Sequence, residues 1–151
     1  MKSGLSGRLA VDTSVLIELV SGTPRGTLFK DLLKNGVVEA FVSEIAVAEL
    51  RYILCRKHGW TVSMERVDDL LKSGYFHVEE TSFLIEDAAR LKCERTLSLA
   101  DCFCLALARR FACKALFAKK EDDLLREIHK KPFDIEILFL EDYKQESATS
   151  E

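Results

Sequence analysis

No apolar run in the 151 residues approaches the roughly 18 that a membrane-spanning helix needs, so an integral helical membrane protein is excluded. The N-terminus carries no signal-peptide pattern, and the expected location is the cytoplasm. Cys-x-x-Cys is absent. The five cysteines (Cys55, Cys93, Cys102, Cys104, Cys113) are odd in number and fall in apolar helical stretches, which argues against a disulfide framework or a structural zinc site. Buried free thiols in a reducing compartment are expected instead. The three histidines (His58, His77, His129) sit singly at element ends and match no ligand spacing, and no Ser–His or Cys–His arrangement stands out. Basic excess is also lacking. A net charge of −3 disfavours a binder that coats nucleic acid through a broad positive surface. Local basic patches remain at Arg51, Arg56 and Lys57, at Lys119 and Lys120, and at Lys130 and Lys131, though each reads equally well as a solvated helix face.

What is present is enough apolar material, 48% of the chain, for one domain with a real core. Strand-like runs at Leu9–Val11, Val38–Val42, Tyr75–Val78, Ala115–Ala118 and Ile135–Leu140 alternate with helical patterns. The helices are expected at Ser14–Leu19, Arg25–Lys34, Glu44–Lys57, Met64–Lys72, Leu84–Glu94, Leu99–Phe111 and Asp122–His129. This alternation predicts an α/β fold: a three-layer α/β/α sandwich around a mostly parallel, five-stranded sheet. Ser43 and Ser98 are placed to cap helices, while Gly22, Pro24 and Gly36 punctuate the first two. Residues 1–140 are expected to form a single domain, and 141–151 a polar, frayed tail.

Asp12 is the most informative residue. It ends the apolar run Leu9-Ala10-Val11 where a strand gives way to a helix, the ligand-binding edge of an open α/β sheet. A carboxylate there costs several kcal/mol in desolvation unless a cation, a proton or hydrogen bonds compensate it. Other acids also fall where apolar residues belong. On a helical wheel Glu49 lies between Ile45 and Ile53, beside Ala46 and Leu50. It either joins a polar site, snorkels outward from the stripe's edge, or pairs with Arg56. Asp101 is the one charge in Leu99–Ala108, a helix apolar on every face; alternatively it serves the helix dipole beside the Ser98 cap. Glu121, Asp122 and Asp123 follow the strand Ala115–Ala118 and also suit a helix start. If the Asp12 strand is central with Ala115–Ala118 beside it, these acids share a crevice. Two like charges about 4 Å apart repel by roughly 4 kcal/mol at an effective dielectric near 20. Such a cluster must share protons or bind a dication, and oxygen-only ligation selects Mg²⁺ or Mn²⁺.

Val11-Asp12-Thr13-Ser14, Ser43-Glu44-Ile45-Ala46-Val47-Ala48-Glu49-Leu50 and Ser98-Leu99-Ala100-Asp101, in this order and spacing, resemble the PIN domain, the nuclease fold of VapC-type toxins in prokaryotic toxin–antitoxin pairs. The resemblance spans roughly Leu9 to Leu140. It implies Asp12, Glu49 and Asp101 as catalytic metal ligands, with a polar contribution from Thr13 or Ser14. The family usually has Thr-x-Asp after the fourth strand, whereas this chain has Lys119-Lys120-Glu121. Glu121 would then be the fourth catalytic and metal-binding acid, or Asp123 would serve instead. The implied activity is Mg²⁺- or Mn²⁺-assisted hydrolysis of RNA phosphodiesters by an activated water, with Lys119, Lys120 or Arg51 holding the RNA backbone. A homodimer and an inhibitory antitoxin are the implied protein partners. The altered fourth motif allows a second reading, a PIN-fold RNA-binding or assembly module without catalysis. Phosphoryl-transfer domains fit less well: aspartate-nucleophile phosphatases want an Asp where Ser14 stands, and receivers want an acidic pair where only Asp12 is present.

Overall fold

The computed structural model describes residues 4–144. Its strands, β1 (Gly7–Val11), β2 (Val38–Ser43), β3 (Phe76–Glu79), β4 (Lys114–Phe117) and β5 (Ile137–Phe139), lie in the order β3-β2-β1-β4-β5. Every pairing among the described residues is parallel, with Leu9 opposite Ala40 on one side and Lys114 on the other. Around them lie α1 (Thr13–Ser21), α2 (Pro24–Lys34), α3 (Glu44–His58), α4 (Trp60–Lys72), α5 (Ile85–Glu94), α6 (Leu99–Arg110) and α7 (Asp122–Lys130).

Period-two alternation along the strands divides the core into two layers. Leu9, Val11, Ala40, Val42 and Leu116 pack against Leu16, Phe29, Leu50 and Val67 of α1 to α4. Ala10, Phe41, Ala115 and Phe117 face the other way, onto Ala88 and Leu91 of α5 and Leu124 of α7. On that second side α6 is buried continuously from Cys102 to Ala108, which accounts for its lack of a polar face. Each fully buried Leu or Phe contributes roughly 1.5–3 kcal/mol.

The connection from β3 to β4 crosses β2 and β1, so the chain changes direction between β1 and β4. Their carboxyl ends therefore flank the topological switch point, where open α/β sheets bind ligands.

Local chemistry sets the helix ends. Ser43 Oγ accepts the Ala46 N–H at 3.1 Å and Ser98 Oγ the Asp101 N–H at 3.1 Å. Gly22 ends α1 in the left-handed region at φ 68°. Gly26 has a steric reason to be glycine: a Cβ there would lie 2.0 Å from the Glu18 carbonyl oxygen. Gly26→Ala must push α2 away from α1, and urea denaturation should show a loss of about 3 kcal/mol.

Some boundaries differ from expectation. α4 starts at Trp60 rather than Met64, because Gly59 at φ 89° reverses the chain at once and the Ser63 hydroxyl anchors the hairpin on the Arg51 carbonyl at 2.6 Å. β5 is shorter than Ile135–Leu140 because the chain bends at Asp134 and Ile135 before it and turns into a 3-10 helix at Leu140–Asp142 after it. Glu141 and Asp142 of that turn and Tyr143 after it lie in the expected tail, yet Glu141 donates its N–H to the Ala118 carbonyl at 3.0 Å and Tyr143 is buried in the first core layer. The remainder of the expected tail, residues 145–151, lies outside the described residues.

All five cysteines are free. Burial holds for Cys102 and Cys104, but Cys55 and Cys113 are half-buried and Cys93 is exposed. Cys113 lies in the turn before β4 rather than in a helix. Burial pushes the Cys102 thiol up to about 11, which leaves it unreactive. No helix among the described residues is long and apolar enough to cross a membrane.

Candidate metal centre

Asp12 lies one residue beyond β1 and continues its pairing with β4 through an N–H bond to the Leu116 carbonyl at 2.9 Å. Its backbone is extended, and its carboxylate accepts the Ser14 N–H at 3.0 Å, so Asp12 caps α1. This bond to the backbone two residues on is the local motif that Asp forms most readily, and it holds the side chain at the sheet edge. At 7% exposure the carboxylate is desolvated. Burial, and to a lesser extent the charge of Glu49, pushes its pKa up to about 6 against the hydrogen bonds from Ser14. Ser14 also reaches across the switch point, its Oγ accepting the Ala118 N–H at 3.0 Å.

Asp101 enters from the first turn of α6, held there by the Ser98 cap. Burial lifts its pKa to about 7, followed by the negative charge of Asp12; Glu121 and Glu49 add smaller contributions, and the Ser98 hydroxyl opposes the rise. Both readings of Asp101 apply: it begins a capped helix, and it faces other acids.

Glu49 projects from the second turn of α3 into a cleft of about 270 Å³ that Asp12, Thr13, Asp101, Glu121 and Asp123 also line. It does not pair with Arg56, whose guanidinium lies 4.9 Å above the Tyr52 ring. Glu121 sits at the N-cap position of α7 and is exposed, as is Asp123, which pairs with Arg126 at 3.2 Å. Adjoining the cleft is a smaller, more enclosed recess of about 30 Å³, lined by Asp12, Ser14, Asp101, Lys119 and Glu121 among others.

The three cations expected to hold substrate separate clearly. Lys119 lines the recess. Arg51 is held at the α3–α4 contact by Asp68 at 2.8 Å and by the Met64 sulfur. Lys120 turns away to Asp142 at 2.6 Å. Of the histidines, all three are exposed, and none lines the cleft. Missed in the sequence was the turn Leu140–Asp142, which packs behind the loop that follows β4. The apolar Tyr143, three residues beyond Leu140, was the available signal that the chain continues along the core.

Among the described residues no three acid, His or Cys side chains are drawn together tightly enough to enclose an ion. The carboxylates share one cleft but stand apart, as mutually repelling charges do. The donor set nevertheless fits a hard divalent cation. It is all oxygen, two of its carboxyls are raised by burial and by one another's negative charge, and the Thr13 hydroxyl beside them is buried without a hydrogen-bond partner.

A parallel α/β/α domain that collects carboxylates at its switch point is thus defined by fold and site together. The chain belongs to the PIN domain family, which matches residues 9–131. No curated protein matches it significantly. Among solved structures it is similar to VapC20 of Mycobacterium tuberculosis, described as a Sarcin-Ricin loop cleaving toxin. The TM-score is 0.61 and the identity 22%, covering 80% of this chain and 94% of that one. It is also similar to a toxin–antitoxin complex from Klebsiella pneumoniae (TM-score 0.60, 18% identity, 92% and 100% covered). A third is VapBC2 of Rickettsia felis bound to a promoter DNA fragment (TM-score 0.61, 14% identity, 87% and 97% covered). At these identities the likeness is one of fold.

Proposed function

We propose that this protein is a Mg²⁺- or Mn²⁺-dependent endoribonuclease acting in the cytoplasm as the toxin of a VapBC-type pair. The observation that carries the reading is the convergence of Asp12, Glu49, Asp101 and Glu121 on one cleft, two of them with raised pKa values. Asp12, Asp101 and Glu49 would hold the ion, with Glu121 or Asp123 completing the set and Thr13 or Ser14 in support. Bound there, a dication supplies Lewis-acid stabilisation of phosphate charge and activates the attacking water. The chain's own part is positional. The Ser14 N–H fixes the Asp12 carboxylate, and the Ser98 cap fixes the start of α6, where Asp101 sits. Lys119 at the recess is the cation placed to meet an RNA phosphate.

Single-stranded RNA incubated with Mn²⁺ should be cleaved, and EDTA should stop the reaction. Cleavage that persists in EDTA, or none with any RNA, counts against the reading. The exposed Lys119 and Glu121 in place of Thr-x-Asp favour the second reading, a PIN-fold RNA-binding or assembly module. RNA binding without cleavage is its signature. An antitoxin partner is supported by the toxin–antitoxin complex and the VapBC2 assembly among the structural neighbours, and a homodimer is proposed beside it. Light scattering of the purified chain should return the mass of a dimer.

The raised carboxyls also predict the pH response. Asp12 binds its proton more tightly folded than unfolded, so its contribution to stability is full below about pH 4 and is lost as pH rises through about 6. For Asp12 this amounts to roughly 3 kcal/mol, and Asp101 acts in the same direction up to about pH 7. Thermal melts in EDTA should show stability falling across this window. Mn²⁺ should restore it, with a larger gain at pH 7.5 than at pH 5.5. A Mn²⁺ effect independent of pH counts against ligation by these carboxylates.

A further inference from the structure

The loop after β4 carries two adjacent lysines with different surroundings. Lys120 is held from behind by the 3-10 turn Leu140–Asp142: its ammonium meets Asp142 at 2.6 Å and its backbone N–H donates to the Glu141 carboxylate. The same turn returns a bond from the Glu141 N–H to the Ala118 carbonyl at 3.0 Å. From the cleft side, Ser14 Oγ holds the Ala118 N–H at 3.0 Å. The loop is therefore clamped on both faces. Lys119, between the clamped residues, lines the acidic recess and makes no ion pair among the described residues. Among the described residues it is the one basic side chain lining the cleft or its recess. With five carboxylates on that cleft, a single dication leaves the site negative, and an RNA phosphate entering it requires a further cation.

We propose that Glu141 and Asp142 are positioning residues for substrate binding. By holding Lys120 they fix the loop so that Lys119 faces the bound RNA and supplies the fixed positive charge that receives the phosphate. The assignment rests on the ribonuclease reading and adds to it a division of labour between the two lysines, together with a role for the C-terminal turn. Electrostatics makes the test sharp. Removing two acids near the site should, by charge alone, tighten RNA binding; loss of positioning weakens it.

The test is steady-state cleavage of a single-stranded RNA at saturating Mn²⁺ across a salt series, with Mn²⁺ affinity followed separately by calorimetry. Lys119→Met should raise KM about tenfold and flatten its logarithmic salt dependence by about 0.7, one phosphate contact on a single strand. It should also tighten Mn²⁺ binding, since a positive charge has left the acid cleft. Glu141→Ala combined with Asp142→Ala should raise KM about threefold with kcat little changed, and adding Lys119→Met should bring no more than Lys119→Met alone. Asp142→Asn, a milder change, should move KM the same way if the double variant folds poorly. The proposal is overturned by an unchanged or lowered KM in the clamp variants, by additive effects with Lys119→Met, or by weaker Mn²⁺ binding in Lys119→Met. Wild-type protein that binds Mn²⁺ yet cleaves no RNA removes the ribonuclease reading itself, and this assignment with it.

Discussion

Asp12→Asn is expected to lower metal-dependent RNA cleavage by about 10²–10³-fold, the scale seen when one preorganised electrostatic contact to a transition state is lost. The substitution isolates charge from structure. Asparagine caps helices as well as aspartate does, so its side-chain oxygen still accepts the Ser14 N–H that now holds Asp12. The charge itself, by contrast, is a net cost without a cation: burial, with a smaller contribution from Glu49, raises the Asp12 pKa more than the hydrogen bonds from Ser14 lower it. The variant should therefore melt no lower than wild type in EDTA, while its Mn²⁺-induced rise in Tm largely disappears. Retention of cleavage by a well-folded Asp12→Asn protein would place the chemistry elsewhere.

Glu127→Ala is expected to carry the largest stability cost, about 3–5 kcal/mol by urea denaturation, because it strands a buried guanidinium. The Glu127 side chain is 2% exposed and lies 3.8 Å from Arg95, which is 9% exposed. Arg95 also donates to the carbonyls of Glu127 at 2.9 Å and Lys131 at 2.6 Å, with its guanidinium 3.9 Å from the Phe133 ring. These contacts tie the end of α7 to the segment between α5 and α6. Glu127→Gln keeps the shape and one acceptor and should cost less. Replacing both partners, Arg95→Met with Glu127→Leu, should recover much of the loss, since no unpaired charge remains. If Glu127→Ala proves as mild as an exposed pair's loss, below about 1 kcal/mol, the pair is not a structural tie. As α7 begins beside Glu121 and Asp123, loosening it should also lower activity at temperatures well below the melt.

The contrast between Asp12 and Glu127 shows what kind of feature a sequence reveals. Asp12 is conspicuous because it interrupts an apolar run at a strand end, a signal contained within a few residues. Glu127 sits in a charged amphipathic helix among Arg126, His129 and Lys130, where an acid looks solvated. Its burial follows from a partner 32 residues away in the chain. The basic candidates divide for the same reason. Arg51 and Lys120 look as free as Lys119 in the sequence, but their partners, Asp68 and Asp142, lie 17 and 22 residues on. Glu49 was legible as an acid on an apolar stripe, while its position in the cleft rather than beside Arg56 depended on the placement of α3.

Local periodicity was sufficient to find the five strands and seven α-helices among the described residues, though not all their bounds or the 3-10 turns, because alternation and helical spacing record which side of an element is buried. It also placed Asp12 at the sheet's carboxyl edge. Only the tertiary structure decided which acids and cations share the cleft, and that Leu140–Asp142 folds behind the loop carrying Lys119. The physical reason is that charge, desolvation and hydrogen bonding act through distance in space, which chain order does not encode.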